Sequence, residues 1–266
     1  MSEQVILAFA LTLGAGLATG IGSAIAFFAH HTDRKFLSFT LGLSAGVMLY
    51  VSFAELLSDA RFEFIEIFGE DKGQLWCAVS FFAGIALAAL IDRIVPEREN
   101  PHEMRSVELM DHKLPASQKM VKAGIVTAIA IGVHNFPEGV ATFMATMSDT
   151  TVGVPIAIAV AIHNIPEGIA VAVPIYFATN SRAKAFKYSF LSGLSEPVGA
   201  LAAWLILMPM MTQTLLNVVF AVVAGIMVYI SIDELLPSAE EYGQHHLSIL
   251  GVIIGMALMA ASLILL

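Results

Sequence analysis

Eight apolar stretches of about 20 residues dominate this chain, near 4–28, 36–57, 75–95, 121–146, 152–177, 185–208, 215–237 and 247–266. Each is long enough to cross the hydrocarbon of a bilayer as a helix. Lipid offers no partner to a backbone N–H or C=O, so such a run must close its hydrogen bonds within itself. The expected fold is an all-α integral membrane protein with eight transmembrane helices. Charge content agrees, since 13% of the 266 residues are charged, against about a quarter in a soluble domain. Segment 4–28 follows no basic residue and exceeds the apolar core of a signal peptide, so it reads as a retained span.

Lys and Arg fall unevenly about the spans. Arg34 and Lys35, then Arg93, Arg98, Arg105, Lys113, Lys119 and Lys122, then Arg182, Lys184 and Lys187 lie on one side. Only Arg61 and Lys72 lie on the other. Basic residues accumulate in cytoplasmic loops, which places both termini outside the cytoplasm and the polar 96–120 loop inside it. The net charge of −9 is dispersed, and no basic patch alternates with aromatics, so nucleic acid is not a partner. The single Cys77 excludes an internal disulfide and any CxxC site.

A short repeat, with Ser and Glu at the same offsets, supports the span count. The run from Ala45 to Leu57 (AGVMLYVSFAELL) recurs from Ala224 to Leu236 (AGIMVYISIDELL). These two segments cross in opposite directions, which is the mark of an inverted repeat with its site near the midplane. The expected organisation is one transmembrane transporter domain over 1–266. In it a 3+2+3 bundle has halves of about 1–95 and 185–266 around a central helix pair, 121–177. Gly16 with Gly20, Gly42 with Gly46, and Gly251 with Gly255 are read as close helix packing.

The central pair carries a six-residue motif twice: His134-Asn135-Phe136-Pro137-Glu138-Gly139 and His163-Asn164-Ile165-Pro166-Glu167-Gly168. A carboxylate at the centre of a span costs about 2.5–3.5 kcal/mol on insertion scales, so it needs a partner there. No Lys or Arg stands in the interior of a span to supply one, since Arg93, Lys122 and Lys187 lie at span ends. In each copy His and Glu are four apart and share a helix face. Each Pro frees the carbonyl four residues back, that of Val133 or Ile162. Imidazole with carboxylate suits zinc and neighbouring transition metals, whereas magnesium and calcium prefer oxygen alone.

Asn135 and Asn164, one step round each helix, are read either as amide-oxygen ligands or as interhelical hydrogen-bonding groups. Glu196, followed by Pro197 in span six, is a candidate third carboxylate. Glu55 and Glu234 lie near span ends, toward the outer face and the cytoplasm respectively, as pathway candidates or as side chains reaching water. Met48 reads as apolar filler. His30, His31, His102, His112, His245 and His246 read as solvated loop residues, with His102 and His112 also placed to meet metal leaving the pathway.

The doubled His-Asn-x-Pro-Glu-Gly motif in spans four and five of an eight-span chain resembles the ZIP (Zrt/Irt-like) metal transporters, in particular their bacterial branch. The resemblance runs over nearly the whole chain. It implies a multi-pass protein of the bacterial inner (plasma) membrane that takes up divalent metal. Zinc is then the chief transported substrate, with iron, manganese, cobalt or cadmium as others, and no cofactor. Its partners are divalent metal ions and the lipid bilayer, with a homodimer admissible. The family's two-metal centre would fall on His134, Glu138, His163 and Glu167 for one site. The second would use Asn135, Glu138, Asn164, Glu167 and Glu196. Some members carry an acidic residue where Asn164 stands, and many have a longer His-rich cytoplasmic loop.

Three rivals are weighed. An intramembrane zinc peptidase needs His-Glu-x-x-His, which occurs nowhere in the chain. A proton-coupled solute carrier would use His and Glu as a relay, without both motif copies facing each other. A receptor that binds metal without moving it is compatible with the same residues.

Overall fold

The computed structural model describes residues 2–28, 34–94, 132, 135–179, 181–241 and 244–265. Every regular element among them is helical. In order these are α1 (Glu3–Phe28), α2 (Arg34–Tyr50), α3 (Leu57–Phe68), α4 (Glu70–Ile94), α5 (135–148) and α6 (Thr150–Thr179). Then come α7 (Arg182–Gly193), α8 (Ser195–Ala202), α9 (Gln213–Ile230), α10 (Leu236–Glu241) and α11 (His245–Leu265). Seven helical runs among the described residues are long and apolar enough to cross a membrane, and they correspond to spans one to three and five to eight. Span four is described only as α5, and the 96–120 loop lies outside the described residues.

Span two is longer than its apolar window. The window ends at 57, where charges begin, but the helix continues to Phe68. Ala60 and Phe64, one turn apart, are buried against the bundle while Asp59, Arg61 and Glu66 face outward, so α3 is amphipathic rather than apolar. Gly69 ends it at φ 80°, the left-handed region glycine enters most readily. There the chain reverses into α4, with Phe68 packed against both Phe64 and Trp76.

Span six is not one helix. Pro197 cannot donate to Gly193, and the Leu194 N–H instead bonds Leu191 O at 3.2 Å, separating α7 from α8. A π-helical stretch, Ala203–Leu207, and a 3₁₀ turn, Met208–Met210, follow.

Two further π-helical stretches interrupt spans two and seven, Val51–Leu56 and Ser231–Leu235. They occupy matching positions of the sequence repeat. In one, Ser52 Oγ donates to Met48 O at 2.7 Å; in the other, Ser231 Oγ donates to Met227 O at 2.8 Å. Such bulges often sit where a helix re-aims side chains at a functional site.

Packing sorts the helices into neighbours. α1 lies against α6, α7 and α8, α2 against α11 and α6, and α9 against α3 and α4. Gly42 and Gly46 meet the backbone of Ser248 and Val252, and Gly251 and Gly255 meet that of Phe39 and Leu43, as small-residue pairs predict. The main apolar core runs through Leu41, Met48, Phe64, Phe143, Phe220 and Met227. α4 and α11 turn Leu75, Phe82, Leu90, Ile249 and Ile253 outward, a surface suited to lipid. At the α5–α6 turn, the backbone N–H and hydroxyl of Thr151 both bond Asp149 at 2.8 Å. They hold that exposed carboxyl below the usual range.

Candidate metal centre

Three helices bring the motif side chains together. α5 contributes Asn135 and Glu138, α6 contributes His163, Asn164 and Glu167, and α8 contributes Glu196 in its first turn. All six are buried, Glu138 and His163 at 1% exposure and Glu196 at 0%. α6 runs as one helix through Pro166, so His163 and Glu167 do share a face. Glu196 stands in the first turn of α8, just after the break at Leu194, where the positive end of a helix dipole favours a carboxylate.

The motif glycines set the spacing. A Cβ on Gly139 would stand 2.0 Å from the Glu196 carbonyl oxygen, and one on Gly168 would stand 2.1 Å from that of Thr19. Only a residue without a side chain lets α5 approach α8, and α6 approach α1, this closely. Sequence reasoning treated these glycines as part of the motif and missed their packing role. Their position directly after each Glu, on the helix-facing side, is the signal that was available.

His163 Nε2 lies 3.4 Å from Glu138 Oε1 and 3.8 Å from Glu167 Oε2. Two ligands of one tetrahedral zinc stand about 3.3 Å apart, given metal–ligand bonds of about 2.0–2.2 Å. The spacing therefore matches that of donors flanking a shared cation. Ser44 on α2 hydrogen-bonds the other ring nitrogen, Nδ1.

The amides hold the carboxylates. Asn135 Nδ2 donates to Glu167 Oε2 at 3.2 Å. Asn164 Nδ2 donates to Glu196 Oε1, and to Ala15 O at 2.8 Å. Six buried oxygens of this cluster receive no hydrogen bond from the described residues: Asn135 Oδ1, both of Glu138, Asn164 Oδ1, Glu167 Oε1 and Glu196 Oε2. Buried acceptors without donors cost about 1–3 kcal/mol each. Bound cations would give such oxygens a positive partner, which an extra hydrophobic contact does not.

Among the described residues, no three His, Cys, Asp or Glu side chains already close around one point. The remaining donors here are amide oxygens, and His134 lies outside the described residues. The other sequence candidates separate. Glu234, in the π-helical stretch of span seven, is within electrostatic reach of His163, Asp92 and Asp233. Glu55 is half-buried beside Asp59 and does not join the cluster. Met48 belongs to the apolar core. His245 and His246 open α11 rather than preceding it, and His245 Nδ1 pairs with Glu240 Oε1 at 2.8 Å on the exposed surface. His30, His31, His102 and His112 lie outside the described residues.

Comparison with known proteins converges on one family. Residues 95–263 match the family model described as ZIP Zinc transporter. A zinc transporter ZupT of Lysinibacillus sphaericus is 57% identical over 268 residues, covering 100% of both chains. Another, from Streptococcus mutans, is 54% identical over 265 residues, covering 100% of this chain and 99% of the relative. A third, from Nitratidesulfovibrio vulgaris, is 57% identical over 270 residues, covering 98% of each.

Proposed function

The chain belongs to the ZIP zinc transporter family, and on that footing we propose that it takes up divalent transition-metal ions, chiefly zinc, into the cytoplasm. It is a multi-pass membrane protein, and we place it in the bacterial inner membrane. The observation that carries the reading is a buried cluster in which the His163 imidazole faces Glu138 and Glu167 and six oxygens have no donor among the described residues. Nitrogen and carboxylate donors together favour zinc and its transition-metal neighbours over magnesium or calcium.

The proposed centre uses His163, Glu138 and Glu167, with His134 from the matching motif position, and a second site uses Asn135, Asn164 and Glu196 with both motif glutamates bridging. A hydrated cation reaches the outer face near Glu55 and exchanges water for these donors. Glu234, within electrostatic reach of His163 and beside Asp92 and Asp233, then receives it on the cytoplasmic side. A site that must also release its ion works with shared, replaceable ligands, which bridging glutamates supply.

The inverted 3+2+3 arrangement is supported by pairings that exchange as the two halves would. α2 packs on α11 as α4 packs on α9, and α1 approaches α6 through Gly22 and Gly168 as α8 approaches α5 through Gly199 and Gly139. The matched π-helical stretches in spans two and seven add to this.

Zinc uptake into proteoliposomes tests the reading directly. Saturable uptake is expected in the wild type and its loss in Glu138→Ala and Glu167→Ala, with both variants inserting normally. Uptake undiminished in either variant would overturn the shared centre.

A further inference from the structure

Of the buried hydroxyls of spans two and seven among the described residues, Ser38 donates to Gln244 O at 3.3 Å, whereas Ser44 meets an imidazole. Ser52 and Ser231 bond the carbonyl one turn back in their own helices. Ser44 instead reaches from α2 across to Nδ1 of His163 on α6, and both residues are buried, at 0% and 1% exposure. The opposite ring nitrogen, Nε2, is the one turned toward Glu138 and Glu167.

An imidazole binds a cation through a nitrogen that carries no proton, so a neutral ring must keep its proton on the other nitrogen. A hydroxyl can donate or accept. When it accepts from Nδ1–H, it leaves the Nε2 lone pair free and fixes the ring plane. We propose that Ser44 is a positioning residue that holds the Nδ1–H of His163 and so makes Nε2 the nitrogen presented to the cation between Glu138 and Glu167. This deepens the metal-centre reading and rests on it.

Two features make the assignment specific to this chain's geometry. In the sequence repeat that aligns Ala45 with Ala224, Ser44 aligns with Val223, which has no hydrogen-bonding side chain. The repeat therefore equips one span of the pair with an orienting hydroxyl and not the other. Ser44 also comes from α2, whereas every other described member of the cluster comes from α5, α6 or α8. A displacement of α6 along α2 by more than about an ångström would carry His163 out of hydrogen-bond range and loosen its hold on the ion.

The test compares Ser44→Thr with Ser44→Val, which have the same shape and differ by the hydroxyl, with Ser44→Ala to exclude an effect of the added methyl. The full-length protein in nanodiscs is titrated with cadmium, and the metal-loaded protein, carrying ¹⁵N-histidine and ¹¹³Cd, is examined by NMR. Partners that orient a metal-binding histidine are worth about 10–100-fold in affinity. Ser44→Thr should bind close to wild type, and Ser44→Val and Ser44→Ala about 10–100-fold more weakly. In the wild type the cadmium coupling should fall on Nε2 of His163 with the proton on Nδ1. Coupling to Nδ1, or equal affinity in the Thr, Val and Ala variants, overturns the proposal. Glu138→Ala separates the two levels of the argument. If it keeps cadmium binding intact, the centre itself is misplaced and the role of Ser44 falls with it. If it abolishes binding while Ser44→Val does not weaken it, only the role of Ser44 fails.

Discussion

Asn135 gives its amide N–H to Glu167 across 3.2 Å, joining the two motif copies across the α5–α6 interface. Asn164 repeats the arrangement one helix further on, giving to Glu196 on α8. Each amide uses its donor to orient a carboxylate, and its own Oδ1, which can only accept, receives no donor from the described residues. The hydrogen-bonding reading of these residues is what the structure shows, and it leaves the oxygen end of each amide to the proposed ligand role.

The two asparagines are unequal, because Asn164 also bonds Ala15 O on α1. Asn164→Ala removes two hydrogen bonds: it leaves a buried carboxylate oxygen of Glu196 unsatisfied, at about 1–3 kcal/mol, and also loses the bond to Ala15 O, worth about 0.5–1.5 kcal/mol, although that carbonyl keeps its helical partner. Asn135→Ala removes one. Thermal unfolding of the purified protein should therefore show a larger fall in Tm for Asn164→Ala, with zinc affinity reduced in both. A fall in Asn135→Ala as large as that in Asn164→Ala would contradict this account.

Gly139→Ala places a methyl 2.0 Å from the Glu196 carbonyl oxygen, a backbone atom that cannot swing aside. The strain pushes α8 away and takes Glu196 with it, at a cost of about 1–3 kcal/mol for an overpacked contact. Gly14→Ala is the control, since nothing lies within 4 Å of its added carbon. Helix propensity there favours Ala by up to about 1 kcal/mol. Uptake should fall sharply in Gly139→Ala and stay at wild-type level in Gly14→Ala. Equal uptake in the two variants would show that the α5–α8 approach does not position the centre.

Much of this was legible because its signals are local. Apolar length sets the spans, and a His and Glu four apart share a face whatever surrounds them. The amphipathic α3 escaped the apolar window because only Ala60 and Phe64 of its first two turns are buried. The break at Leu194 was visible only as Pro197, whose effect could have been a kink. Ser44 could not be found at all, since nothing in a sequence distinguishes a serine bonding its own helix from one reaching across to another. That information lies in how α2 meets α6.

Membrane orientation rests on the Lys and Arg distribution and is open to direct labelling. In a Cys77→Ser background, Lys72→Cys, in the first turn of α4, should react with an impermeant thiol reagent in intact cells. Ser117→Cys, in the 96–120 loop, should react only after permeabilisation. The reverse pattern would invert the topology and exchange the pathway roles of Glu55 and Glu234.

Protons and metal compete for the same atoms in the proposed centre. Glu138, Glu167 and Glu196 must be carboxylates, and His163 neutral, to bind a divalent cation, so loading releases whatever protons they hold. Lowering the pH raises the proton's share of these sites and must weaken the metal's. Apparent zinc affinity should fall by about tenfold per pH unit for each proton displaced, read between roughly pH 8 and pH 6. Glu196→Gln removes one competitor while keeping an acceptor oxygen, so its affinity should depend on pH less steeply than that of the wild type. Calorimetric titration in two buffers of different ionisation enthalpy counts the released protons independently. A wild-type affinity that does not change with pH, with no proton release, would mean that zinc does not meet these carboxylates and this imidazole on its way through the membrane.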